Sequence, residues 1–238
     1  MLGILLRFRE GKYAVTGDIQ EMSHRIAIRK QDQDSQRFLF RHKDNERLDV
    51  YVMQVMTFGA TCSPACAQYV KNHNANLHED RFPEASKAIV KSHYVDNYLD
   101  SYDCLEQASK LVSDIIKIHE IGNFRMRDFV SNSGKLTETI PKDRLSDSND
   151  IALGQADNAY EKILGIIWDF RKDVIKYNLK LPQDIPLKFT KRNVLSIAMS
   201  VYDPLGLISN ITIESRILMQ ELWKMGLDWD EPLPQRLR

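Results

Sequence analysis

The tetrapeptide Tyr94-Val95-Asp96-Asn97, together with Asp18 in Ala14-Val15-Thr16-Gly17-Asp18-Ile19, constrains the fold more than any other part of the chain. Each acid closes a strand-like run. An aspartate at the tip of a tight hairpin has its side chain pushed out of the sheet. Two such carboxylates on neighbouring strands form a hard oxygen donor set that can hold divalent cations and support phosphoryl transfer. Either aspartate alone reads as an ordinary turn or cap residue, so the chemistry depends on the fold bringing them together.

Composition narrows the alternatives. With 238 residues, 43% hydrophobic and 28% charged, the chain can bury a sizeable core as one large domain or two small ones. Lys plus Arg and Asp plus Glu both number 33, so no global positive field points to a nucleic acid, and such binding would have to come from local patches. Three cysteines, Cys62, Cys66 and Cys104, are too few and odd in number for a disulfide framework, and they suit a reducing compartment. The apolar start Met1-Leu2-Gly3-Ile4-Leu5-Leu6 is too short for a signal peptide, and no stretch of about 18 uncharged residues exists. The expectation is a soluble intracellular protein, cytoplasmic or nuclear, without a membrane partner.

Periodicity predicts an α+β chain. Residues 12–20 read as a strand, Ile26, Ile28 and 37–41 as a hairpin across a polar stretch, and 50–58 as a further strand. A helix is expected from Ser63-Pro64 to about His78, a second over 84–92, and a third from Leu105 to Gly122. Residues 93–101 read as a hairpin with Asp96-Asn97 at its tip. Strands are expected at 124–130, 163–168 and 174–179, a polar loop over 131–159, and two helices at 190–202 and 211–224 flanking Asp203-Pro204-Leu205-Gly206.

Other constellations carry less. Cys62, Cys66, His73 and His78 could be drawn as a zinc site, with Cys66 and His73 sharing a helix face. A paired-cysteine knuckle normally sits in a loop, however, and His73 and His78 fall on different faces, so buried thiols are the better reading. Segment 23–47 holds seven basic residues against four acidic ones, and such a hairpin face could touch phosphates or be merely solvated. No Gly-x-Ser-x-Gly elbow or phosphate loop occurs.

Taken in order, these residues resemble the reverse transcriptase of BEL/Pao-type LTR retrotransposons. The resemblance is carried by Ala14–Ile19 with Glu21-Met22, by Arg37-Phe38-Leu39-Phe40-Arg41, and by Thr57-Phe58-Gly59-Ala60 with Ser63-Pro64. It continues through Tyr94–Asn97, Phe124-Arg125-Met126-Arg127 with Ser131-Asn132, and 162–169. The C-terminal part adds Thr190–Ser196, Tyr202-Asp203-Pro204-Leu205-Gly206-Leu207 and Trp229–Pro234. It implies a right-hand polymerase palm with partial fingers over 1–180 and a helical thumb or connection-like part over 181–238. It also implies Mg²⁺-dependent DNA synthesis on an RNA or DNA template-primer from dNTPs, within a polyprotein. Asp18, Asp96 and the backbone carbonyl of Ile19 would hold the metal. Ser23, Phe58, Gly59 and Ser63 would flank nucleotide and template, and Leu164-Gly165 would lie near the primer grip.

The chain departs from the family pattern at several points. Asn97 replaces a second aspartate, Ser23 an aromatic that excludes a ribose 2′-OH, and Asp128-Phe129 a Lys-Trp pair. The sequence starts 17 residues before Asp18 and stops before any RNase H region, which suggests an N-terminally truncated, degenerate copy. The expectation is an impaired polymerase. The alternative is a nucleic-acid-binding remnant or scaffold without chemistry.

Overall fold

The computed structural model describes residues 1–43, 47–147, 160–177 and 189–234. The chain divides into two compact units, 3–156 and 157–238. Helices and strands are mixed in an α+β arrangement, and among the described residues no helix is long and apolar enough to cross a membrane.

In the first unit, helix α1 (Leu2–Arg7) precedes strand β1 (Tyr13–Ile19). Strands β2 (Arg37–Phe40) and β3 (Asp49–Val52) pair as an antiparallel ribbon, Phe38 opposite Tyr51 with their rings stacked at 5.7 Å. The expected pairing of Ile26 and Ile28 with 37–41 is therefore corrected. Residues Lys30–Gln36 turn into a 3₁₀ helix, and Ala27 bridges to Val55 instead.

Helices α2 (Ser63–Asn76) and α3 (Pro83–Ser92) follow, each with proline in its first turn, where its missing N–H costs nothing. Strands β4 (His93–Tyr94) and β5 (Asn97–Tyr102) form the hairpin, helix α4 (Leu105–Ile121) returns, and β6 (Met126–Ser131), the short α5 (Gly134–Thr137) and a 3₁₀ turn at Lys142–Arg144 close the described part of this unit. Residues 148–159 of the expected loop lie outside the described residues.

The main sheet is antiparallel, ordered β4-β5-β1-β6, with α3 and α4 packed on it. Strand alternation puts Val15 and Ile19, with Tyr98 and Tyr102 across the ladder, into the principal apolar core, alongside Ile89, Ile115 and Phe124. Thr16 and Asp18 therefore belong to the opposite face. Two side-chain ties fix the helical layer: Ser86 Oγ donates to Ala75 O at 2.7 Å, and Asn74 Nδ2 donates to Ile118 O at 2.8 Å.

The second unit contains a three-stranded antiparallel sheet of β7 (Tyr160–Ile163), β8 (Ile166–Asp169) and β9 (Val174–Lys176). The apolar run 163–168 is not one strand. It reverses at Leu164-Gly165, both with positive φ, 46° and 90°. The expected strand over 174–179 ends at Lys176, and 178–179 lie outside the described residues.

Helices α6 (Lys191–Ala198) and α7 (Ser209–Lys224) pack through Val194, Met219 and Leu222, with Leu233 beside them. Thr190 starts α6 with a capping box to Asn193. Lys191 Nζ sits 3.5 Å over the Trp223 ring and 5.1 Å from that of Trp229, a cation–π clasp. Asp203 accepts from the N–H groups of Leu207 and Ile208 and from Tyr177 OH, so this motif is a turn held by its own carboxylate.

Candidate functional site

The fold joins Asp18 to the hairpin. Asp18 lies opposite Asn97 in the β1–β5 ladder, and Ile19 N–H donates to Asp96 O at 3.1 Å. The turn itself differs from expectation: Val95 and Asp96 span it, while Asn97 begins β5, opposite Tyr94. Val95 has φ 58°, a left-handed conformation that β-branched residues rarely adopt. Strain of this kind persists only where the surroundings enforce it, commonly at functional sites.

On the other side of β1, the ladder with β6 slips between Thr16 and Asp18, so two residues of β6, Asp128 and Phe129, stand across from Gly17. This bulge swings Asp128 into φ 53° and lays the Phe129 ring over Gly17. Arg127 faces Asp18 across the ladder and pairs with Asp128 at 3.1 Å.

The electrostatics follow from this crowding. Burial raises the Asp18 carboxyl to about 6, the charge of Asp96 and then Asp128 pushing the same way, against Arg127. A half-buried carboxylate pair with incompletely balanced charge is a donor set that suits a hard divalent cation, with water or phosphate oxygens completing the shell. Among the described residues, no group of three or more His, Cys, Asp or Glu side chains stands close enough to hold a metal. Asn97 Nδ2 donates to Asp96 Oδ1 at 2.9 Å.

Ser23 is buried in the 3₁₀ turn Met22–Arg25, whose His24 meets the exposed Phe58 edge-on at 5.2 Å. Ser63 Oγ donates to Thr57 O at 2.6 Å rather than capping α2. Gly59, at φ 91°, has open space where a Cβ would stand. Leu164 and Gly165 form the β7–β8 turn of the second unit, against Tyr202. Cys62 and Cys66 are free thiols, the first exposed and the second half-buried, which corrects the expectation of buried thiols; His73 stacks on Tyr69.

Beneath the hairpin lies a polar cluster that the sequence did not announce. His93 Nδ1 bonds Ile89 O at 3.1 Å, and since a carbonyl only accepts, Nδ1 carries the proton. His93 Nε2 must then accept from His119 Nε2, 3.2 Å away. Burial holds His119 down to about 3, and it holds His93 well below the usual imidazole range, the charge of Lys71 adding in both cases.

Unfolded, both rings bind protons below about 6.5; folded, they do not, so this pair costs stability as pH falls from about 6.5 toward 3. Asp18 works oppositely, because its raised folded value favours the folded state as pH drops from about 6 toward 4. His119→Phe is therefore expected to give a urea midpoint that falls less steeply from pH 7 to pH 5 than that of the parent. An unchanged slope would mean the pair is not held neutral.

Residues 190–238 match a family model described as a Pao retrotransposon-like RNaseH-like domain. The matched stretch contains α6, α7 and the Trp229 segment, and it supports a BEL/Pao retrotransposon origin for the chain. No curated protein matches the sequence.

Proposed function

We propose that the chain is a reverse-transcriptase-like RNA-directed DNA polymerase domain of a BEL/Pao-type retrotransposon polyprotein, impaired at its catalytic centre. The observation that carries this reading is Asp18 on a central antiparallel strand, joined to the Asp96 hairpin through the Ile19–Asp96 bond, with the charge of Asp96 raising the Asp18 carboxyl. A palm with partial fingers would occupy 1–180 and a thumb or connection-like part 181–238; the two compact units part within the first of these, at 156.

Asp18, Asp96 and the Ile19 carbonyl would hold Mg²⁺. Bound there, the ion would offset charge developing on the attacking and leaving oxygens. Template-primer would lie along the sheet face that carries Asp18. Ser23, Phe58, Gly59 and Ser63 would contact the nucleotide and template, and Leu164-Gly165 the primer. The amide of Asn97 supports the impairment, because it donates to Asp96 instead of offering the metal an anionic oxygen.

A second reading, a nucleic-acid-binding remnant or scaffold, draws on the RNaseH-like description of 190–238. Both readings predict binding of an RNA–DNA hybrid in EDTA that weakens steeply with salt. They part on primer extension over a homopolymer template: the polymerase reading expects weak but measurable synthesis with Mn²⁺ that Asp96→Ala abolishes, whereas the remnant gives none. Absence of salt-dependent hybrid binding removes both.

A further inference from the structure

Helices α3 and α4 pack against each other, yet they leave a recess of about 410 Å³ at the start of α3. Its cause is the size of the facing side chains. Gln107, Lys110, Leu111 and Asp114 recur at helical spacing and line it as one stripe of α4. On the α3 side stands Ala85, whose methyl leaves the space open, with Phe82 beside it. Ala85 and Leu111 are buried, so the floor is apolar, whereas the rim is charged. The volume falls within the range of small-molecule sites. Helix α3, 10 residues long, separates this end from the hairpin that carries Asp96.

The rim charges are unequally engaged. Glu84 pairs with Lys87 at 3.3 Å and Asp114 with Lys117 at 3.0 Å, each along its own helix. Neither Arg81 nor Lys110 has an acidic partner among the described residues. The Arg81 guanidinium lies over the Phe82 ring, 4.9 Å from its centroid, and its flat outer side can stack on a further planar group. We propose that this recess binds a small planar aromatic acid, one or two rings bearing a single carboxylate or similar anion. The rings rest against Ala85, Leu111 and the Arg81–Phe82 layer, and the anion meets Lys110. A polyphosphate fits poorly, because no glycine-rich loop supplies backbone donors and the Glu84 and Asp114 carboxylates oppose further negative charge. The site uses neither Asp18 nor Asp96, so it stands independently of the polymerase reading.

The test titrates the full chain with 2-naphthoate by isothermal calorimetry, in EDTA so that no metal takes part, with 2-naphthamide as an uncharged probe of the same shape. The acid is expected to bind with a dissociation constant of roughly 0.1–1 mM, and the amide about fivefold or more weakly than that. Lys110→Gln and Arg81→Gln, both at exposed positions, should each weaken binding of the acid about three- to fivefold. Glu84→Gln should tighten it, since Lys87 then adds to the rim's positive charge. Ala85→Leu, which fills the recess, should abolish saturable binding, and thermal melting establishes that each variant is folded. Should Ala85→Leu fail to fold, the two charge variants decide. No saturable binding of 2-naphthoate below about 10 mM would overturn the proposal. So would affinities for acid and amide within about twofold of each other, or folded Lys110→Gln and Arg81→Gln variants that both bind the acid as the parent does.

Discussion

Asn97→Asp is expected to raise Mg²⁺-dependent primer extension by roughly 10²–10³, the gain that one well-placed charge interaction of about 3–4 kcal/mol brings to a transition state. The argument begins from geometry. Asn97 stands at the start of β5, opposite Tyr94 and next in sequence to Asp96, where its amide donates to Asp96 Oδ1. A carboxylate of nearly the same shape could not donate there. It would repel Asp96, turn toward any cation present, and add a third negative charge to the site. Without a cation that repulsion is uncompensated, so Asn97→Asp should also melt lower than the parent in EDTA and recover on adding Mn²⁺. Equal extension by parent and variant would show that position 97 does not limit the chemistry. Robust Mg²⁺-dependent synthesis by the unaltered chain, lost in Asp96→Ala, would sink the impaired reading itself.

The parts of this site that the sequence announced are those whose cause is local. Proline at the start of α2 and α3, the helical spacing of Leu111, Val112, Ile115 and Ile116, and an aspartate following an aromatic before a turn each follow from neighbours within a few residues. What escaped was set at a distance. The turn at Val95-Asp96 rather than at Asp96-Asn97 follows from the register of β4 against β5, which places Tyr94 opposite Asn97. The reversal at Leu164-Gly165 hid inside a continuous apolar run, where only Gly165, backed by Tyr202, hinted at a positive φ. The polar stretch before β2 reads as a hairpin turn but winds into 3₁₀ helix, and β2 pairs forward with β3 instead. Lys71 and Lys191 look alike in sequence; one is buried without a hydrogen-bond partner, the other is clasped by Trp223 and Trp229. Only tertiary contacts distinguish them.

The same dependence on distant contacts makes the bulge beside Asp18 a place where stability and site geometry can be tested together. Phe129 is fully buried, its ring lying over Gly17, and a Cβ built at position 17 would stand 2.7 Å from its Cε1. Phe129→Ala is therefore expected to cost about 3–5 kcal/mol, as truncation of a buried aromatic does. Gly17→Ala should cost about 1–3 kcal/mol, because the ring must leave its place in a close-packed layer. The two effects share one volume, so they should not add. In the double variant the new methyl faces the space the ring has left, and the total cost should fall short of the sum by about 1 kcal/mol or more, read from urea unfolding. Since Gly17 immediately precedes Asp18 on β1, Gly17→Ala should also weaken Mn²⁺ binding, while the double variant recovers part of it. Costs that add to within about 0.5 kcal/mol would show that ring and glycine do not press on each other, and would leave the bulge without its part in setting Asp18.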